Sequence, residues 1–339
     1  MEQQFSHRAI PLARAVSLLP YTRLLHSMGA PVDRLLMRAG IPSNLLSYPA
    51  AAVPVENAFQ FFEFACRTQG SEHLGLHVGL ATSLDDLGPY GEMLQNALTI
   101  YDYLRKGISL YNMLNTGQRF WLSDHGDELR LNFASMVDSE IGVYQSELES
   151  LAITIAMFKE AAGKEWSPRE ISLAYRSREA IPDIDLYAGS RILQGTGESY
   201  FTIPRTILGL RFPGGGSIRA EEKGLLKGHP LPENLHGLVQ LQIESMFSRR
   251  PVQIDSVAET LAMNTRNLQR CLAKQGLKYS HILAEARSRQ AVSWLENSDK
   301  PIAEIASDLG YQDASNFTRA FRRQAGVSPQ IFRDSARRR

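Results

Sequence analysis

Residues 301–329 read PIAEIASDLGYQDASNFTRAFRRQAGVSP, and this stretch decides the fold of the C-terminal part of the chain. Its segment IASDLGY (305–311) matches VAETLAM (257–263) in the placement of apolar and small residues. Each segment is followed by a polar turn and a second helical pattern, residues 317–321 and 268–272, which runs on to a glycine. A small residue in the first helix allows close approach, and a short turn sets the crossing angle. The repeat therefore predicts two helix-turn-helix units.

Each predicted second helix has an inner apolar row and an outer polar row. In the first unit Leu268 and Leu272 lie on the inner row, and in the second Phe317 and Phe321 do. Arginine and glutamine can hydrogen-bond base edges bidentately in a major groove. The alternative is a small helical domain with solvated faces, which two units in tandem disfavour. The outer rows contain the candidate DNA-binding residues Arg266, Gln269, Arg270, Ser315, Thr318, Arg319 and Arg322.

The segment between the two units is the right length to space them along DNA. Residues 280–297 are predicted to form one helix, roughly 27 Å long at 1.5 Å per residue. With the width of each unit added, the two outer faces would lie about 34 Å apart, one turn of the duplex. A single chain would then contact two successive segments of the major groove.

Composition and charge divide the chain of 339 residues into three parts. A segment rich in glycine and proline, residues 213–232, is predicted to be a linker between an N-terminal regulatory domain (1–212) and a DNA-binding domain (233–339). The last part carries 16 Lys and Arg against 11 Asp and Glu, net +5, whereas residues 1–232 carry 21 against 25, net −4. The basic part is the candidate for contact with a polyanion.

The pattern before the linker is that of an α+β domain. The first hundred residues are predicted to be mainly helical, with breaks at Gly29 and Gly40. Alternation over 120–133 predicts a hairpin with one apolar face. A long helix is predicted from Ser139, as its cap, to Gly163, and strands at 171–175 and 200–203. The predicted fold class is thus an α+β sensor domain plus an all-α C-terminal domain with two helix-turn-helix units.

Sequence features of other protein classes are weak or missing. The two cysteines form no CxxC pair, and no apolar run approaches the roughly 18 residues of a membrane span, so we expect a cytoplasmic protein with no membrane contact. No GxSxG, HExxH or Walker sequence occurs, and we expect neither an enzyme nor a cofactor. His73 and His77 have metal-ligand spacing on a helix, but no third ligand accompanies them.

Four aromatic residues admit two interpretations: they line an effector pocket or, more commonly at such spacings, they belong to the core. They are Trp121, Tyr144, Phe158 and Tyr175.

The C-terminal motifs, from PIAEIA (301–306) through Gly310-Tyr311 to Gly326-Val327-Ser328-Pro329, closely resemble the signature of the AraC family of bacterial transcription regulators. The resemblance covers about residues 235–335. It implies seven helices, two of which contact DNA, and Arg287 of the connector would be structural. By matching position, the resemblance adds Asn316 to the DNA-binding residues and retains Arg266, Gln269, Arg270, Ser315, Thr318 and Arg319.

The upstream segments 74–79 and 87–91 are similar to the arabinose-binding-like sensor domain of one AraC subgroup. This resemblance implies an activator that binds double-stranded operator DNA, RNA polymerase and an unidentified small-molecule effector, and that can form a homodimer. Effectors of the subgroup are diverse metabolites, ornithine among them. The α+β pattern departs from the all-β jelly roll of the archetypal arabinose sensor, so the ligand is not inherited from the name.

Two other functions stay open at this point. One is a ligand-independent DNA-binding regulator controlled by oligomerisation. The other is an enzyme, since AraC-type helices also occur beside DNA-repair methyltransferase domains, although this chain lacks a reactive cysteine motif.

Overall fold

The structure is a computed structural model that describes residues 11–137, 139–213, 231–232, 234–247, 252–261 and 263–337. Of the predicted linker, residues 214–230 lie outside the described residues. No described helix is both long and apolar enough to cross a membrane.

The N-terminal part begins with a layer of helices and a small two-stranded ribbon. The ribbon pairs strands β1 (Leu12–Arg14) and β2 (Ala52–Pro54) in antiparallel register. Positive φ angles at Gly29 and Gly40 turn the chain at the two predicted breaks. The six helices of this layer are α1 (Leu19–Ser27), α2 (Val32–Arg38), α3 (Val55–Gln69), α4 (Leu74–Leu80), α5 (Gly88–Gln95) and α6 (Ile100–Leu110).

A five-stranded sheet forms the other layer, in the order β3-β4-β7-β5-β6. All its neighbours are antiparallel except β5 and β6. The hairpin places Phe120 opposite Phe133, and its turn lies at Gly126. The strands are β3 (Gln118–His125), β4 (Glu128–Ser135), β5 (Glu170–Leu173), β6 (Arg191–Gln194) and β7 (Ser199–Pro204).

Helix α7 (Glu140–Ala162) lies between the helical layer and the sheet. Its residues Leu148 and Phe158 pack with Leu131 and Phe201 of the sheet in one buried cluster. On its other side α7 contacts α4 so closely that a Cβ at Gly75 would lie 2.0 Å from the carbonyl oxygen of Gln145. Apolar contact on both sides explains why this helix is hydrophobic around its circumference.

The C-terminal part, over the described residues 234–337, contains seven helices and no strand. Helix α11 connects the two halves and packs against α8, α13 and α14. The helices are α8 (Leu235–Met246), α9 (Ile254–Thr260), α10 (Thr265–Lys274), α11 (Tyr279–Asn297), α12 (Ile302–Asp308), α13 (Ala314–Ala325) and α14 (Pro329–Arg337).

Helix α8 also joins this part to the N-terminal ribbon. Leu12 and Ala52 belong to the same buried cluster as Leu238 and Ile243 of α8. A backbone hydrogen bond from Leu231 to the carbonyl oxygen of Asn112 adds a second link. The N-terminal ribbon thus contributes Leu12 and Ala52 to the buried core of the C-terminal part.

The predicted fold class, hairpin and long helix are confirmed. Ser139 precedes α7, but its side chain makes no capping hydrogen bond, contrary to prediction. Strands β1, β2 and β6 were not predicted, because segments of three or four residues are too short for an alternating pattern to show.

Candidate nucleic-acid interface and ligand cavity

The first helix-turn-helix unit consists of α9 and α10. Asn264 caps the N-terminus of α10: its side-chain Oδ1 accepts a hydrogen bond from the backbone N–H of Asn267 at 2.8 Å. Leu268 and Leu272 are buried beneath the helix, which fixes the opposite face toward solvent. That exposed face contains the predicted residues Arg266, Gln269 and Arg270.

The second unit consists of α12 and α13 and repeats this construction. Asp313 caps the N-terminus of α13: its side-chain Oδ1 accepts a hydrogen bond from the backbone N–H of Asn316 at 2.6 Å. Phe317 and Phe321 are buried, and the helix ends at Gly326 with a φ of 77°. Of the predicted residues, Ser315, Arg319 and Arg322 are exposed, whereas Asn316 and Thr318 are half-buried.

An asparagine three residues earlier contacts the corresponding arginine in both second helices. A guanidinium nitrogen of Arg270 donates to Oδ1 of Asn267 at 3.3 Å, and one of Arg319 donates to Oδ1 of Asn316 at 2.6 Å. Neither carbonyl interaction neutralises the arginine, so each remains a cation on an exposed helix face. Sequence reasoning missed Asn267. The repeat aligns Asn267 with Asn316 at the same offset that aligns Arg270 with Arg319.

The connector helix is attached to the second unit through Arg287. Its guanidinium donates to the carbonyl oxygens of Leu309 at 2.8 Å and Gly310 at 3.3 Å, just after the end of α12. It also lies 4.9 Å from the ring centroid of Tyr311. These contacts agree with the structural role predicted for Arg287, because a cation stabilises the carbonyl end of a helix.

A cavity lies in the N-terminal part between α7, the helical layer and the hairpin. It contains about 880 Å³ of empty space, its opening to solvent included. Its wall is mostly apolar and aromatic: Phe59, Phe62, Leu87, Tyr90, Leu94, Tyr103, Leu104, Ile108, Tyr111, Leu114, Phe120, Leu131 and Ile153.

One carboxyl group lies in this apolar wall. Glu149 of α7 is the only acidic residue among the described residues that line the cavity, and no lysine, arginine or histidine lines it. Burial raises the pKa of Glu149 from its ordinary value of 4.5 to about 8, because the charged carboxylate is poorly solvated there. Sequence reasoning missed this residue, since an isolated glutamate in a helix carries no signal of its surroundings.

None of the four aromatic residues weighed for an effector pocket lines this cavity. Tyr144 and Phe158 are buried in the core, Tyr175 is partly buried against it, and Trp121 is exposed. His73 is also structural: its Nδ1 lies 3.1 Å from the hydroxyl of Tyr144 and its Nε2 lies 3.0 Å from the carbonyl oxygen of Ala180. Among the described residues no group of His, Cys, Asp and Glu side chains could hold a metal ion.

Comparison with known proteins identifies both parts. Residues 29–212 match the arabinose-binding domain of AraC transcription regulators, and residues 257–335 match a helix-turn-helix domain. The chain is 23% identical over 333 residues to the HTH-type transcriptional regulator VirS of Mycobacterium tuberculosis. The match covers 95% of this chain and 96% of VirS.

Two further similarities are partial or distant. The HTH-type transcriptional regulator VqsM of Pseudomonas aeruginosa is 33% identical over 113 residues, 30% of this chain, and the chain spans only 35% of the length of VqsM in that match. The crystal structure of the transcriptional regulator CdpR from Pseudomonas aeruginosa is 21% identical, with a TM-score of 0.43 over 94% of this chain and 98% of that one.

The family consists of transcription regulators, not enzymes. With the arabinose-binding match over more than half of the chain and a helix-turn-helix match after it, this protein belongs to the AraC family of DNA-binding transcription regulators.

Proposed function

We propose that this regulator recognises a specific double-stranded operator through α10 and α13. The observation that carries the proposal is the asparagine–arginine pair on the exposed side of both helices. An arginine fork matches the two acceptors of guanine, and contacts to phosphates would set the register. The proposed DNA-binding residues are Arg266, Gln269, Arg270, Ser315, Asn316, Thr318, Arg319 and Arg322.

In this proposed function the three segments of the chain have separate roles. Residues 1–212 bind an effector, 213–232 form the linker, and 233–339 bind DNA. The cavity supports the effector role, and it favours ligand control over a ligand-independent regulator governed by oligomerisation. Binding of the effector would shift the population between DNA-competent and incompetent arrangements.

The proposal further assigns an activating role in the bacterial cytoplasm, with RNA polymerase as a partner and a homodimer as the assembled form. The resemblance to the AraC family supports these assignments. A promoter reporter in bacterial cells measures the direction of regulation, and transcription that rises when the gene is deleted would contradict the activating role.

Selection from random duplexes with the full-length protein tests sequence recognition. We expect enrichment of a site with two half-sites about one helical turn apart, because the two units lie in one chain. Affinity for the selected duplex should fall steeply as salt rises, since phosphate contacts release counterions. Equal affinity for selected and scrambled duplexes would contradict the proposal.

A further inference from the structure

The polar side chains of the cavity wall, apart from Glu149, are mostly satisfied by the protein itself. The hydroxyl of Tyr90 donates to the carbonyl oxygen of Gly107 at 3.0 Å, and that of Tyr111 donates to Oε1 of Gln118 at 2.7 Å. Further hydrogen bonds within the protein engage Ser17, Asn115, Ser146 and Thr154. Glu149 is half-buried, and its carboxyl group has no hydrogen bond or ion pair among the described residues.

None of the described residues supplies a cation to this carboxyl group. Arg14, on the strand whose Ala13 lines the cavity, directs its guanidinium to the carbonyl oxygens of Met113 at 2.6 Å and Ala50 at 2.8 Å. A half-buried carboxyl group in an apolar wall is costly to ionise without a partner, whereas an arriving cation would reduce that cost. We therefore expect the ligand itself to carry the positive charge that pairs with this carboxyl group.

The aromatic wall suits such a ligand as well. Tyr111 lies edge-to-face with both Tyr90 and Phe120, with ring centroids 5.7 Å and 4.5 Å apart, and all three rings line the cavity. Ring faces attract a cation, and the same surface accepts an apolar body. A carboxylate ligand would find no basic residue on the described wall to pair with its charge.

We propose that the cavity binds an organic cation, specifically a primary amine with an apolar body, whose ammonium group pairs with Glu149. This inference rests on the proposed function, in which the bound molecule is the effector. Backbone contact fixes the position of Glu149, because α4 packs against α7 there: a Cβ at Gly79 would lie 2.6 Å from the carbonyl oxygen of Glu149.

Proton release distinguishes this pairing from apolar binding. With a pKa of about 8, the free carboxyl group is mostly protonated at pH 7, so docking of an ammonium would release its proton to solvent. The other titratable groups around the cavity are Tyr21, Tyr90, Tyr103 and Tyr111, whose pKa values burial raises, so they stay neutral. The pKa of Arg14 is lowered only to about 10, so Arg14 stays charged.

The test uses full-length protein and three probes with a common phenyl ring: 2-phenylethylamine, 2-phenylethanol and 3-phenylpropanoate. Calorimetry at pH 7 in two buffers of different ionisation enthalpy measures affinity and proton release together. We expect the amine to bind best and to release close to one proton. The alcohol should bind more weakly without release, and the carboxylate should bind least.

Two glutamine variants locate the charge. Glu149→Gln should weaken amine binding roughly tenfold or more and abolish proton release, since it removes a charge-assisted hydrogen bond, while binding of the alcohol persists. Glu147→Gln is the matched control: Glu147 is buried on the same helix but does not line the cavity. It should bind the amine as the unaltered protein does.

Preference for the alcohol or the carboxylate, absence of binding by all three probes, or unchanged amine binding by Glu149→Gln would overturn the inference. If Glu149→Gln fails to fold, proton release by the unaltered protein decides. Operator binding is measured in parallel on the same preparations. Retained DNA recognition without amine binding defeats this inference alone, whereas amine binding without DNA recognition defeats the proposed function.

Discussion

The side-chain amide of Gln242 in α8 donates a hydrogen bond to the backbone carbonyl oxygen of Ala52 in β2 over 2.7 Å, and both residues are fully buried. This bond joins the helix that opens the C-terminal part to the ribbon of the N-terminal part. Successive residues of the partner strand β1 contact different parts of the protein: Leu12 belongs to the C-terminal core cluster, and Ala13 lines the cavity. One short ribbon therefore contacts both the candidate effector site and the DNA-binding part.

Gln242→Ala should lower the free energy of unfolding by about 1–2 kcal/mol, because the buried carbonyl of Ala52 loses its donor. The loss is limited, since Oε1 of Gln242 is itself buried without a partner. Urea denaturation measures the change. The control is Gln240→Ala, whose side chain donates to Glu244 within α8; an equal loss in both variants would contradict a special role for the Gln242 contact.

Arg270→Ala and Arg319→Ala should each weaken binding to the selected operator by roughly 1–3 kcal/mol and relax the preference at one or two base pairs. Fluorescence anisotropy on the operator and on a scrambled duplex at equal salt measures both effects. Arg34→Ala, an exposed arginine of α2, controls for the change in net charge. Equal losses on the two duplexes would mean that these arginines contact only phosphates.

Asn267→Ala and Asn316→Ala should reduce operator affinity without unfolding the protein, because each removes one hydrogen bond that orients the guanidinium. The Asn316 variant should lose more, since its bond to Arg319 is 2.6 Å long against 3.3 Å for Asn267 and Arg270. In each double variant with the arginine, the second substitution should add little. Additive losses would show that asparagine and arginine act independently.

Glu149→Gln should make stability less dependent on pH. The pKa of the carboxyl group in the folded protein, about 8, lies above its ordinary 4.5, so the native state holds the extra proton. Stability is therefore full below about pH 4.5 and declines as pH rises toward 8, with a slope of at most about 1.4 kcal/mol per pH unit. The neighbouring tyrosines, among them Tyr21 and Tyr111, do not titrate in this range because burial raises their pKa values.

Thermal unfolding between pH 5 and 9 checks this expectation. The advantage of Glu149→Gln over the unaltered protein should grow up to about pH 8 and then level off. For Glu147→Gln it should level off near pH 7, the raised pKa of Glu147. A constant difference between Glu149→Gln and the unaltered protein would mean that Glu149 is charged in the native state throughout.

Gly75→Ala should destabilise the protein by more than about 2 kcal/mol, because a methyl group there would collide with the backbone of α7 at Gln145. Gly107→Ala in α6 is the matched control, since its nearest neighbours lie at the ordinary distances of 3.5 and 3.8 Å. Alanine there should be neutral or stabilising, as alanine favours helix over glycine. Denaturation midpoints compare the two; similar midpoints would contradict the tight α4–α7 contact.

The two helix-turn-helix units, the hairpin and the central helix could be predicted from the sequence, since each depends on local periodicity and short turns. Leu268 and Phe317 lie on the buried sides of α10 and α13. The periodic spacing of apolar residues in each helix predicts by itself which side faces outward. It also indicated the candidate DNA-binding residues, among them Arg270 and Arg319, which the structure places on exposed helix faces.

Contacts between residues far apart in the sequence could not be predicted and are seen in the structure alone. Glu149 became the one carboxyl group among the described residues of an aromatic cavity because α3, α5, α6 and the hairpin close around α7. Gln242 met Ala52 although 190 positions separate them in the sequence. Periodicity reports the face on which a side chain lies, whereas its partner on that face, and hence the pKa of Glu149, depends on packing between distant segments.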